Sequence, residues 1–156
     1  MDFANFTYVW PSELVDAVKA KRKFTLTGGK LKPRKQQMGV SLGKVKYSDV
    51  TGDGIEEAIV SMSIQTGGSA IPGMVYVYSL RSGRPSVLWY FSTGDRADGG
   101  LRNIYSEKTN LVVELFGPKK KGEADGQLKR FTRTRYVWQN GRFRRKTPKK
   151  IIELKA

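Results

Sequence analysis

Apolar side chains recur at alternate positions along much of this chain, in short runs separated by Gly, Asp, Asn or Pro. The clearest run is 55–64, where Ala58, Val60, Met62 and Ile64 fall on one side of an extended backbone. Residues 74–80 contain Val75-Tyr76-Val77-Tyr78, the β-branched and aromatic types that fit a pleated surface. Segments 24–27, 43–48, 87–91, 101–107, 111–116, 131–139 and 142–146 also read as strands. Gly28-Gly29, 81–85 and Asn140-Gly141 read as turns, the last being the strongest two-residue hairpin signal. Residues 1–11 are an extended lead-in whose Phe3, Phe6, Tyr8 and Trp10 dock on the core. Ser12 is placed to cap a short amphipathic helix over 12–21, with Leu14, Val15 and Val18 at helical spacing. Residues 30–39 read as a loop or irregular edge, and 117–127 as a mobile, lysine-rich connection. The basic tail 147–156 is either disordered or adds an edge strand through Ile151-Ile152. Eight or nine short strands with short connections predict a mainly β fold. The expected form is an antiparallel meander forming a curved sheet, an open barrel or a sandwich, with one short N-terminal helix.

At 156 residues the chain is expected to form a single domain. No apolar run approaches the roughly 18 residues that cross a bilayer. The first six residues lack a basic start and a long apolar stretch, so they do not read as a signal peptide. There is no cysteine and no histidine. Disulfides, thiolate or imidazole metal sites and His-based catalytic pairs are therefore excluded. An enzyme would have to work with carboxylates, Lys, Tyr, Ser or Arg, and no spacing identifies a reaction.

The net charge of +15 is unevenly placed. Residues 1–48 carry 10 basic and 3 acidic side chains, 49–118 carry 5 and 8, and 119–156 carry 14 and 3. An acidic island between basic flanks suggests two different surfaces, one able to meet an anionic partner.

The island holds Asp49-Val50-Thr51-Gly52-Asp53-Gly54-Ile55-Glu56-Glu57. Oxygen-bearing side chains at its first, third, fifth and ninth positions suit a hard cation, with Gly54 at the sharp turn. Asp49, Thr51, Asp53, the Ile55 carbonyl and Glu57 are the candidate ligands of a structural calcium ion. An EF-hand is excluded, because its twelfth-position Glu is Val60 here. The alternative is a metal-free turn whose Asp side chains bond nearby backbone N–H groups. The string resembles the calcium loop of FG-GAP and VCBS-type repeats through Asp49, Asp53, Gly54 and Glu57, with Thr51 a weaker hydroxyl ligand where the pattern has Asn or Asp. More loosely, Ser48–Ala58, Thr66–Gly68, Val75–Tyr78, Thr93–Arg96 and the closing 131–143 are similar to segments of small bacterial exported proteins and lipoproteins. That likeness implies an extracytoplasmic home, periplasmic or secreted, and brings no activity with it.

Two further clusters carry candidate chemistry. Asp95, Arg96, Asp98 and Arg102 lie close together in sequence and could do acid–base work, grip a polar ligand, facing 66–69, or lock their own loop through ion pairs. In the carboxyl-terminal third, Arg130, Arg133, Arg135, Arg142, Arg144 and Arg145 are interleaved with aromatics over 129–150. Alternation places Phe131, Arg133, Arg135 and Val137 on one face and Arg130, Thr132, Thr134, Tyr136 and Trp138 on the other. Such a face could hold an anionic polymer, nucleic acid included, or an acidic protein. It could equally be a solvated surface. The sequence thus favours a non-enzymatic extracytoplasmic binding or structural module, with polyanion binding as the alternative.

Overall fold

The computed structural model describes residues 1–12, 14, 22–35, 38–69, 71–95, 99–124 and 126–155. The helix expected over 12–21 lies, apart from Ser12 and Leu14, outside the described residues. A 3-10 turn, Phe3–Asn5, is capped by Asp2, whose Oδ1 accepts the Ala4 N–H at 3.0 Å.

Among the described residues twelve strands form three antiparallel sheets, none closed into a barrel. β1 (Thr7–Val9) pairs with β2 (Lys23–Thr25). The second sheet runs in the order β3 (Lys30–Leu31), β4 (Gly39–Ser48), β5 (Glu57–Gln65), β6 (Pro72–Ser79) and β7 (Ser86–Asp95). The third contains β8 (Leu101–Glu107), β9 (Asn110–Phe116), β10 (Arg130–Gln139), β11 (Arg142–Arg145) and β12 (Lys150–Glu153). The strands beyond the expected eight or nine are short pieces. β1 falls in the expected lead-in, β3 in the expected loop, and β12 in the tail.

The second sheet is the middle layer. On β5, Ala58, Val60, Met62 and Ile64 pack with Met74, Tyr76 and Tyr78 of β6 against Phe3, Tyr8, Trp10, Phe24 and Leu26. The alternate residues Ile59, Val75 and Val77 face the third sheet and meet Ile104, Leu111 and Val113. β6 is therefore buried on both sides, which accounts for its near-continuous apolar run. Each fully buried aliphatic side chain of this kind contributes about 1.5–3 kcal/mol. Two buried tyrosine hydroxyls are satisfied: Tyr76 donates to the Val9 carbonyl and Tyr8 to that of Phe3, both at 2.6 Å.

β11 and β12 lie end to end along one edge of β10. β11 covers 136–139 of β10 and β12 covers 130–133. Between them the Lys146 N–H donates to the Arg135 carbonyl at 2.8 Å. The turn into this return strand places Asn140 at φ 52° and Gly141 at φ 74°, the pair of left-handed conformations that Asn-Gly tolerates best.

Candidate polyanion-binding face

β9 alternates between two environments. Leu111, Val113 and Leu115 pack into the core between the large sheets, so Val112 and Glu114 face outward. Glu114 is nevertheless only 1% exposed. Its neighbours cover it. Arg133, its register partner on β10, donates from Nε at 2.7 Å, Arg102 of β8 pairs with its other oxygen, and the Tyr105 hydroxyl donates at 3.3 Å. Burial pushes the Glu114 carboxyl up, but bonds and charge from Arg133 and Arg102 outweigh it and hold the group below the usual carboxylate range. The Arg102 guanidinium also stacks 4.0 Å above the Phe131 ring, and Arg133 lies 5.6 Å from it.

Two more expected cations have carboxylate partners. Arg135 grips Glu107 through two nitrogens, at 2.6 and 3.3 Å. Arg130, only 4% exposed, donates to both oxygens of Glu123 at 2.7 and 2.6 Å, to Glu153 at 3.0 Å and to the Pro118 carbonyl at 2.9 Å. The Arg130 bonds, helped by the Lys120 N–H, hold Glu123 at about 2. Through this cluster Pro118 and Glu123 of the 117–127 connection are joined to β10.

The remaining cations differ. Arg142, Arg144, Arg145, Lys146, Lys149 and Lys150 are exposed and make no ion pair among the described residues. Register sorts them. Arg142 is opposite Gln139, Arg144 opposite Val137 and Lys150 opposite Arg133. Cross-strand partners share a face, so these three project beside Arg133 and Arg135, away from the core. Arg145 is opposite Tyr136, which packs on the core side, and so belongs to the other face, as Arg130 does by alternation. The six arginines grouped by sequence therefore divide: Arg133, Arg135, Arg142 and Arg144 share one surface, while Arg130 and Arg145 do not.

In the acidic hairpin the oxygens turn onto the loop's own backbone. Asp49 Oδ1 accepts the N–H groups of Thr51 at 3.2 Å and Gly52 at 2.7 Å, and its Oδ2 accepts Gly54 N–H at 2.9 Å. Glu57 Oε2 accepts Val50 N–H at 2.9 Å and Thr51 N–H at 3.2 Å, and the Thr51 hydroxyl donates to Oε1 at 3.3 Å. Asp53 accepts Ile55 N–H at 2.8 Å and pairs with Arg81. Glu57 is buried, and burial first, then the charges of Asp53 and Asp49, raise its carboxyl. Burial also acts upward on Asp49, but N–H bonds from Gly54, Gly52 and Thr51 outweigh it and lower the group. As arranged, these residues brace a turn. Among the described residues no group of three or more acidic side chains that could hold a metal ion is found.

At the end of β7, Asp95 Oδ1 accepts the Ile71 N–H at 2.8 Å, tying β7 to the residue that precedes β6. Arg102 serves Glu114, so Asp95 and Arg102 support different elements. Arg96 and Asp98 lie outside the described residues. The residues that sequence reasoning missed are the neutralising carboxylates Glu107, Glu114, Glu123 and Glu153. Glu114 alone left a trace, as a single carboxylate inside the apolar run 111–116. No family model, no curated protein and no solved structure matches this chain.

Proposed function

We propose that this protein is a non-enzymatic binding module that holds an anionic polymer along the cationic return edge of its third sheet. One observation carries the reading. Among the described residues Arg142, Arg144 and Lys150 share an exposed face without carboxylate partners, while Arg133 and Arg135 on the same face are neutralised by glutamates. Unpaired surface cations keep their full charge for a ligand, whereas paired ones must first give up a partner.

The aromatic residues favour recognition by charge over recognition by base stacking. Phe131 is 4% exposed beneath Arg102, and Trp138 packs edge-on against Phe143 with centroids 4.9 Å apart. Neither offers the open ring that stacks a nucleobase. The lack of histidine and cysteine supports the non-enzymatic part of the reading. The likeness of several segments to bacterial exported proteins supports a place outside the cytoplasm. No helix among the described residues is long and apolar enough to cross a membrane. A calcium ion at the hairpin would have to compete with Arg81 for Asp53 and with backbone N–H groups for Asp49 and Glu57.

The test is fluorescence anisotropy with a sulfated polysaccharide and with single-stranded DNA at several salt concentrations. Three to five phosphate contacts correspond to a log–log slope of about −2 to −4 on single strands. Similar affinity for both polymers with such a slope supports the reading. Loss of all binding well below physiological salt would contradict it.

A further inference from the structure

A second site lies at the opposite edge of the third sheet, where β4 and β8 run side by side. Among the described residues β3 covers β4 only at Val40 and Ser41, and β8 ends its own sheet, so both strands have open edges. At one end side chains seal the gap. Lys46 Nζ donates to the Ile104 carbonyl at 2.8 Å and to Asn103 Oδ1 at 3.1 Å, and the hydroxyls of Ser48 and Ser106 bond each other. Beyond this seal the strands part. Two adjoining cavities of about 230 and 440 Å³ open there, sharing Gly43, Ser61 and Leu101 as walls.

Three register breaks meet at this place. β4 shifts between Leu42 and Val45, β8 between Leu101 and Asn103, and the β6–β7 pair between Pro72 and Gly73. Bulges bend strands and re-aim side chains, and they concentrate near functional sites. Two glycines keep the walls thin. A Cβ on Gly43 would sit 2.9 Å from the Ser61 carbonyl oxygen, and one on Gly73 would sit 2.5 Å from Thr93 Oγ1.

The lining chemistry departs from that of the core it adjoins. On β5, core-facing Ile59 is followed on the same face by Ser61, Ser63 and Gln65, where a closed sandwich would continue with apolar side chains. The Ser61 hydroxyl is occupied, accepting from Lys44 N–H at 3.0 Å and donating to its carbonyl at 3.2 Å. The half-buried Ser63 hydroxyl makes no hydrogen bond among the described residues. Thr93 is buried, and among the described residues its hydroxyl has only a 3.5 Å contact with the Gly94 carbonyl. Lys44 and Lys46 stand at one end beside Arg102, whose charge Glu114 already balances, and no carboxylate lines either cavity among the described residues.

We propose that this cleft binds a small hydroxylated organic anion of monosaccharide size. Its carboxylate or phosphate lies at the Lys44–Lys46 end, and its hydroxyls meet Ser63 and Thr93. The open hydroxyls supply directional partners, and the local excess of cations selects for negative charge. This site is independent of the polymer-binding edge, since β8 and β11 are opposite ends of the β11-β10-β9-β8 order.

The experiment follows amide shifts of the ¹⁵N-labelled full chain during titration with glucuronate, glucose 6-phosphate, glucose and inorganic phosphate. Expected are saturable shifts at Gly43, Ser61, Ser63, Gly73 and Leu101 with glucuronate, glucose 6-phosphate or both, and at least about tenfold weaker responses to glucose and to phosphate. Lys44→Gln should weaken that binding about fivefold to tenfold by removing a charge-assisted contact. Ser63→Leu, which fills the cleft with an apolar side chain, should abolish it. Shifts around 142–150 should be absent. The proposal is overturned by no saturable response in the cleft, by phosphate or glucose binding as well as the hydroxylated anions, by insensitivity to Lys44→Gln, or by shifts confined to 142–150.

Discussion

Replacing Glu57 by alanine removes the acceptor that fixes the entrance to the acidic hairpin. Val50 N–H loses its bond at 2.9 Å and is left in a fully buried position, while Thr51 N–H keeps a second acceptor, Asp49 Oδ1, at 3.2 Å. One orphaned buried donor costs about 1–3 kcal/mol. Loss of the buried side-chain stem adds roughly 1 kcal/mol. The expected destabilisation is about 2–4 kcal/mol, or a fall in Tm of about 5–15 °C for a chain of this size. Glu57→Gln separates hydrogen bonding from charge. A glutamine oxygen can accept both N–H groups, its amide can face the Thr51 hydroxyl, and the desolvated charge beside Asp53 and Asp49 disappears. This variant should stay within about 1 kcal/mol of wild type. The pH dependence follows from the raised carboxyl. The folded state binds the Glu57 proton more tightly than the unfolded chain, so this group's contribution is full below the ordinary value of 4.5 and is lost as pH rises through the raised one. Glu57→Gln should therefore gain on wild type as pH rises through that window. Thermal melts by circular dichroism from pH 4 to 8 measure both effects. An alanine variant melting within about 1 °C of wild type, or a glutamine variant as damaged as the alanine one, would refute the reasoning.

Glu123 carries the opposite sign: its carboxyl is lowered from 4.5 to about 2, so its contribution is present above the unfolded value and lost as pH falls through the folded one. The Tm gap between wild type and Glu123→Gln should be constant near neutrality and close as pH falls from about 5 towards 2; a gap independent of pH would contradict the Arg130 anchor. Calcium added to EDTA-treated protein at a few millimolar should move Tm by less than about 1 °C, because the hairpin oxygens already hold N–H groups and Arg81. A saturable rise of several degrees would show that the ion displaces them.

Much of the middle layer is legible in sequence. The period-two pattern of 55–64 places Ala58, Val60, Met62 and Ile64 on one face, and the structure packs all four against the N-terminal aromatics. The Asn140-Gly141 turn is equally local, since its conformation depends on two residues. β1 and β3 are not legible, because three- and two-residue strands exist only through the partners they meet. The neutralising glutamates are hidden for a related reason. Arg102 reaches Glu114 from a bulged position of β8, and a bulge at Leu101–Asn103 leaves no mark in composition. Spacing within the acidic string suggests ligands for a cation, yet Arg81, far along the chain, meets Asp53. The cleft depends on three register breaks at once and has no sequence signature beyond serines at 61 and 63, on the face that carries Ile59.

The most direct measurement compares two charge-neutralised proteins in the same polymer titration. Arg142→Gln/Arg144→Gln/Lys150→Gln removes three cations without partners among the described residues, and Arg135→Gln removes one that Glu107 already neutralises. The account predicts that the triple variant keeps its Tm, loses most of its affinity for the sulfated polysaccharide, and has a salt slope shallower by about 2–3, while Arg135→Gln changes affinity by less than about threefold. Equal losses in the two proteins, or an unchanged salt slope in the triple variant, would contradict the claim that unpaired cations on the return strand make the binding surface.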